Sequence, residues 1–92
     1  MTGKKTDENH MLIREALRAA GATWLDMTQA QRSPIHCDAI VMHQGKVYFV
    51  EVKRNGGTLT NDERIFRQAC HRQDVEYNLL ATPEDALKMI GK

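Results

Sequence analysis

The sequence predicts an α/β domain: a mixed central sheet flanked by helices, in the order α-β-β-β-α-β-α. Three observations carry that expectation. Near the start, Met11, Leu12, Ala16, Leu17 and Ala20 recur at helical spacing, the mark of a helix with one apolar face. Two apolar runs rich in β-branched residues, 36–43 and 46–53, lie either side of Gln44-Gly45, the pattern of a hairpin. A final apolar run at 75–81 stands between two helix starts, L-T-N-D-E-R and T-P-E-D. A strand that follows a helix can return parallel to an earlier strand through a right-handed crossover.

Each element has its own local reason. Residues 1–6 are polar and expected to be loose. The first helix is expected from Asp7, with Thr6 or Asp7 as cap and Gly21 as the stop. A-T-W-L-D-M-T, 22–28, reads as a short strand, and Q-A-Q-R-S-P, 29–34, as a loop closed by Pro34. The hairpin strands follow, and Asn55-Gly56-Gly57 ends the second. The next helix starts at Thr60, with Glu63 three residues on to complete a capping box, and runs to about Arg72. After strand 75–81, Thr82 caps the last helix, Pro83 takes its first position, and Glu84 and Asp85 suit its dipole. Its apolar face is Ala86, Leu87, Met89 and Ile90.

The 92 residues suit one domain spanning 1–92, with no internal repeat or linker. Hydrophobic content of 41% and charge of 27% are ordinary for a folded chain, and the net charge is +1. That near-neutrality excludes a broadly basic surface, so nucleic-acid binding must come from a local patch. No apolar run is long enough to span a membrane, and the N-terminus lacks the apolar stretch of a secretory signal. The expected compartment is the cytoplasm, where Cys37 and Cys70 stay free thiols.

The chemistry is concentrated in V-Y-F-V-E-V-K-R, 47–54. Side chains alternate along a strand, so Val47, Phe49, Glu51 and Lys53 share one face and Tyr48, Val50 and Val52 the other. The Gln44-Gly45 turn sets Asp38 opposite Glu51. Two carboxylates opposed on one face repel by a few tenths to about 1 kcal/mol. A sheet keeps that arrangement when a cation lies between them, and two hard oxygen ligands with room for water suit Mg²⁺ or Mn²⁺ better than Zn²⁺. Lys53 beside them can hold a phosphate oxygen or orient an attacking water, which together describes a metal-dependent phosphodiesterase. Taken alone, acid-x-Lys arises by chance about once in a chain of this composition, and its other reading is an exposed ion pair at a strand end.

Three segments in order, S-P-I-H-C-D-A-I-V-M, V-Y-F-V-E-V-K-R and L-T-N-D-E-R-I-F, resemble the PD-(D/E)xK nuclease superfamily, and within it the small standalone VRR-NUC domain of phages and prophages. The resemblance runs from about Glu15 to Leu87. It implies a restriction-endonuclease-like core with Asp38, Glu51 and the backbone carbonyl of Val52 as metal ligands and Lys53 as the catalytic lysine. Glu15 matches a helix glutamate that supports the site through water. The helix position usually held by Gln is Glu63 here, with Gln68 further on, and Cys37 stands where Pro often precedes the metal-binding aspartate. The resemblance further implies DNA as substrate, branched forms such as four-way junctions in particular, and a homodimer, with no membrane partner and no small-molecule substrate. Arg32, Arg54, Arg64 and Arg67 are the expected phosphate contacts, with Arg72, Gln29 and Gln31 also within range.

Two other classes stay open at this point. One is a non-catalytic module on the same fold that binds nucleic acid or protein. The other is a structural or toxin–antitoxin-type interaction protein. His36-Cys37 and Cys70-His71 invite a zinc reading. Neighbouring strand residues point to opposite faces, so His36 and Cys37 are poorly placed to share one ion.

Overall fold

A computed structural model describes residues 4–30, 32–54 and 57–92, with side chains from residue 8 onward. The elements are α1 (Lys4–Ala19), β1 (Thr23–Asp26), β2 (Ala39–His43), β3 (Lys46–Val52), α2 (Asn61–Arg72), β4 (Tyr77–Leu80) and α3 (Pro83–Met89). Their order is the expected α-β-β-β-α-β-α. The strands form one sheet in the order β1-β2-β3-β4. The first three pair antiparallel, and β4 returns parallel to β3 after α2.

The first helix begins at Lys4, so Lys4, Lys5 and Thr6, expected to be loose, belong to it; Met1 to Gly3 lie outside the described residues. Its buried face also differs from the expected one. Ile13 and Leu17 are fully buried, with His10 and Ala20 half-buried on the same line, whereas Met11 and Leu12 are 46% and 52% exposed. Positions 10, 13, 17 and 20 follow steps of three and four, and a helix turns about 100° per residue. Met11 and Leu12 therefore cannot share that face. The helix ends as expected at Gly21, whose φ of 94° is left-handed. The amide of Ala22 reaches the Leu17 carbonyl at 2.9 Å and that of Gly21 reaches Arg18 at 3.0 Å, which closes a Schellman motif.

Gln44 and Gly45 both have positive φ, 48° and 84°, as a two-residue hairpin turn of primed type requires. That turn fixes the register: His43 pairs with Lys46, and Ala39 with Val50. One step further the ladder gives way to a side chain. The Asp38 amide donates to the Val50 carbonyl at 2.9 Å, and the Asp38 carboxylate accepts the Val52 amide at 2.8 Å. For this reason β2 starts at Ala39, and residues 36–38, expected in the strand, are irregular. Both β1 and β4 are likewise shorter than their apolar runs. In β1 the chain turns after Asp26, whose carboxylate accepts the Thr28 hydroxyl at 2.6 Å.

One face of the sheet, with Trp24, Val41, Tyr48, Val50, Val52 and Leu80, packs on Ile13 and Leu17 of α1 and on Ala86 and Ile90 of the chain's last turns. On the other face α2 lays Phe66 edge-on to Phe49 and Tyr77, at centroid distances of 5.1 and 5.9 Å. Both later helices carry complete capping boxes, Thr60 with Glu63 and Thr82 with Asp85, each removing two orphan amides. Among the described residues no helix is long and apolar enough to cross a membrane.

Candidate active site

The end of β3, the segment before β2 and the first turn of α2 meet around a cleft of about 290 Å³. Asp38 and Glu51 line it together with Glu63, Asp62, Thr60, His36 and Cys37. This convergence follows from the topology. The hairpin register brings Asp38 beside the last residues of β3, and the capping box holds the start of α2 over them.

Glu51 is the most unusual side chain in the cleft. Its residue is only 3% exposed, and its Oε1 is buried without a hydrogen-bond partner. Its Oε2 lies 3.4 Å from Lys53 Nζ. Burial, then the charge of Asp38, then the carboxylate of Glu63 push the Glu51 acid up to about 9, against the pull of Lys53. In its neutral form the acid hydrogen-bonds to the Glu63 carboxylate; Oε1 has no donor of its own, and buried polar atoms are nearly always paired.

Lys53 sits between two carboxylates, with Nζ also 3.2 Å from Glu63 Oε1. Burial works against its charge, but hydrogen bonding to Glu63 and the charges of Glu51 and Glu63 outweigh it and raise its pKa. Glu63 is partly buried, which favours its neutral form. The Thr60 amide and the contacts to Glu51 and Lys53 more than compensate and lower its pKa. Glu63 thus has two roles that share one atom: Oε1 accepts the Thr60 amide at 2.8 Å and faces Lys53.

Asp38 is anchored through one oxygen. Oδ2 takes the Val52 amide at 2.8 Å and lies 3.5 Å from His10 Nε2 on α1. Beside it, the Cys37 thiol donates to the Ala39 carbonyl at 3.4 Å, and burial pushes it up to about 11, so it stays protonated at neutral pH.

Neither a protein-family model nor a curated protein sequence matches the chain. A solved structure described as a VRR-NUC domain does match, with a TM-score of 0.77 over 94% of this chain and 94% of that one, at 18% identity. The chain shares the fold of that VRR-NUC domain, and the mixed sheet flanked by helices in the order α-β-β-β-α-β-α, expected from the sequence, is the observed architecture.

Within this fold the residues singled out in the sequence separate into two groups. Asp38 and Glu51 line the cleft, and Lys53, which does not line it, reaches it through Glu51 and Glu63, at 3.4 and 3.2 Å. Glu15 does not join them. Its carboxylate is exposed and pairs with Arg14 and Arg18 at 3.8 and 3.9 Å, and it does not line the cleft. Five residues along a helix is about 140° of rotation, so α1 cannot turn both His10 and Glu15 toward Asp38. His10 is the residue it presents.

The sequence alone does not single out His10 among the chain's four histidines. Its signal was its place three residues before Ile13, on the buried line of α1. Gln68 is exposed on α2, five residues past Glu63, while Glu63 occupies the cleft. Arg32, Arg54 and Arg64 are exposed and Arg67 is half-buried; none lines the cleft, but Arg54 follows Lys53 and Arg64 follows Glu63 directly. Arg72 and Gln29 are exposed, and Gln31 lies outside the described residues.

The donor set at the cleft is oxygen. Among the described residues no three His, Cys, Asp or Glu side chains form a group that could hold a metal unaided. Two carboxylates with the remaining positions left to water is nonetheless the usual arrangement for Mg²⁺, and the unpartnered Glu51 Oε1 is the atom such an ion would satisfy.

Proposed function

We propose that this domain is a divalent-metal-dependent DNA endonuclease, with Mg²⁺ or Mn²⁺ as cofactor and selectivity for branched DNA such as four-way junctions. The observation that carries the reading is Glu51, buried beside Asp38 and Lys53 with one oxygen unpartnered. Burying an ionised carboxylate costs several kcal/mol unless a cation compensates it. A site with no ion to hold gains nothing from keeping two acids there.

In this reading Asp38, Glu51 and the Val52 carbonyl hold the ion. When bound, a divalent ion supplies Lewis-acid stabilisation of charge on the phosphate oxygens and a water of lowered pKa. Lys53, kept charged between Glu51 and Glu63, meets a non-bridging phosphate oxygen and orients the water for in-line attack. Glu63 prevents the Lys53 stem from wandering, and the capping box keeps Glu63 itself in place. Arg54 and Arg64, exposed next to Lys53 and Glu63, contact flanking phosphates, with Arg67 and Arg32 further out. Such contacts position the duplex and carry no base information. Symmetric branched DNA presents two equivalent strands, and a homodimer supplies a cleft for each.

The test is incubation of the purified protein with labelled linear, flap and four-way DNA in Mg²⁺ and in Mn²⁺, with chelator, Asp38→Ala and Lys53→Ala controls. The reading expects metal-dependent products, most from the four-way substrate, none from Asp38→Ala, and a rate lower by about 10²–10³ from Lys53→Ala. Cleavage that survives chelator, or wild-type cleavage by Asp38→Ala, contradicts it.

A further inference from the structure

We propose that His10 is a positioning residue for Asp38, the α1 group that fixes the plane of this metal-binding carboxylate; the inference rests on the metal reading above. His10 is on the buried line of α1 one turn before Ile13, so the core that seats Ile13 and Leu17 also sets where its ring lies. The ring stands edge-on to Trp24, with centroids 5.4 Å apart and planes at 90°. Trp24 is itself buried in β1. Packed this way, Nε2 comes to 3.5 Å from Asp38 Oδ2. That distance is a close polar contact, longer than a closed hydrogen bond.

Oδ2 is the same oxygen that accepts the Val52 amide. Asp38 is therefore approached at one atom from two elements, β3 and α1. A carboxylate held by one contact still swings about it. With a second contact from another direction its plane is set, and Oδ1 remains as the oxygen engaged by neither. Groups that orient a metal-binding carboxylate in this way typically account for 10–100-fold in metal affinity. Glu15 cannot serve instead, because it lies on another side of α1 and pairs with arginines.

The experiment measures Mn²⁺ binding calorimetrically on the full chain without DNA, for wild type, His10→Phe, His10→Gln and Asp38→Ala. His10→Phe keeps a ring against Trp24 and removes the nitrogen; His10→Gln keeps a polar donor. The expected result is a loss of about 10–100-fold in Mn²⁺ affinity for His10→Phe, with most of it restored in His10→Gln. The Mn²⁺ concentration for half-maximal cleavage should rise in the same ratio while the rate at saturating Mn²⁺ recovers. If His10→Phe binds Mn²⁺ as wild type does, the ring is only packing for Trp24 and the inference is overturned. If the wild type does not bind Mn²⁺, or Asp38→Ala binds it equally well, the metal reading fails first and this inference with it. Urea unfolding of each variant shows whether a loss of affinity reflects the site or the fold.

Discussion

Replacing Glu51 with Gln should change how stability depends on pH more than it changes stability itself. In the folded chain Glu51 titrates at about 9, against an ordinary value of 4.5, because it is buried beside Asp38 and Glu63. Between those two values the folded state holds a proton that the unfolded chain has released. The contribution to stability is therefore full below about pH 4.5 and is lost as pH rises through about 9. One proton of difference is worth about 1.4 kcal/mol per pH unit at most. The other shifted groups act outside the middle of that window: Glu63 and Asp85 have lowered pKa values and act in acid, while Cys37, Cys70, Lys53 and Tyr77 are raised and act in base. Between pH 6 and 8 the metal-free wild type should thus lose up to about 2.7 kcal/mol relative to Glu51→Gln, two pH units at that slope. Urea unfolding with chelator, followed by the fluorescence of the single tryptophan, buried Trp24, reads this directly. Added Mn²⁺ should stabilise the wild type more at pH 8 than at pH 6, since the ion needs the deprotonated acid, and should leave Glu51→Gln unmoved. Parallel pH profiles for wild type and variant would refute the reasoning.

Other consequences are equally direct. Lys53→Ala should lower the cleavage rate by about 10²–10³, the usual cost of removing a donor aimed at developing charge, with the urea midpoint nearly unchanged. Thr60→Ala removes the hydroxyl half of a capping box and should cost about 0.5–2 kcal/mol; the residue-60 amide that holds the Glu63 carboxylate beside Lys53 is kept, so the cleavage rate should change little. Ile13→Ala should cost about 2–5 kcal/mol, whereas Leu12→Ala, at an exposed position, should change stability by less than about 0.5 kcal/mol. Arg54→Ala should weaken DNA binding for every substrate alike and reduce the salt dependence by about one ion.

The hairpin and its consequences were legible because short-range rules decide them. Gln44-Gly45 specifies the turn, the turn specifies the register, and the register delivers Asp38 to Glu51 without any knowledge of the remaining fold. The Thr60–Glu63 capping box and the Thr82 cap were legible for the same reason, being local; that Asp85 closes a second box appears only in the structure. What the sequence concealed depends on tertiary packing. On α1, Met11 and Leu12 are as apolar as Ile13, and only the position of the sheet decides which of them is buried. The same rotation turns His10 rather than Glu15 toward Asp38. The start of β2 was misread by three residues, 36 against Ala39, because Asp38 satisfies the Val52 amide with its side chain where the ladder would have continued. Glu63 looked like a cap and is one; its second contact, to Lys53, exists only once α2 is docked on β3.

The account stands on Asp38 and Glu51 acting as one oxygen site for a divalent ion. The most direct measurement is anomalous diffraction from a crystal of this protein soaked in Mn²⁺. The account predicts one peak in the cleft within about 2.5 Å of an oxygen from each carboxylate, with Glu51 Oε1 among its ligands. Mn²⁺ bound elsewhere, with Glu51 still turned to Glu63 and Oε1 still bare, would contradict it.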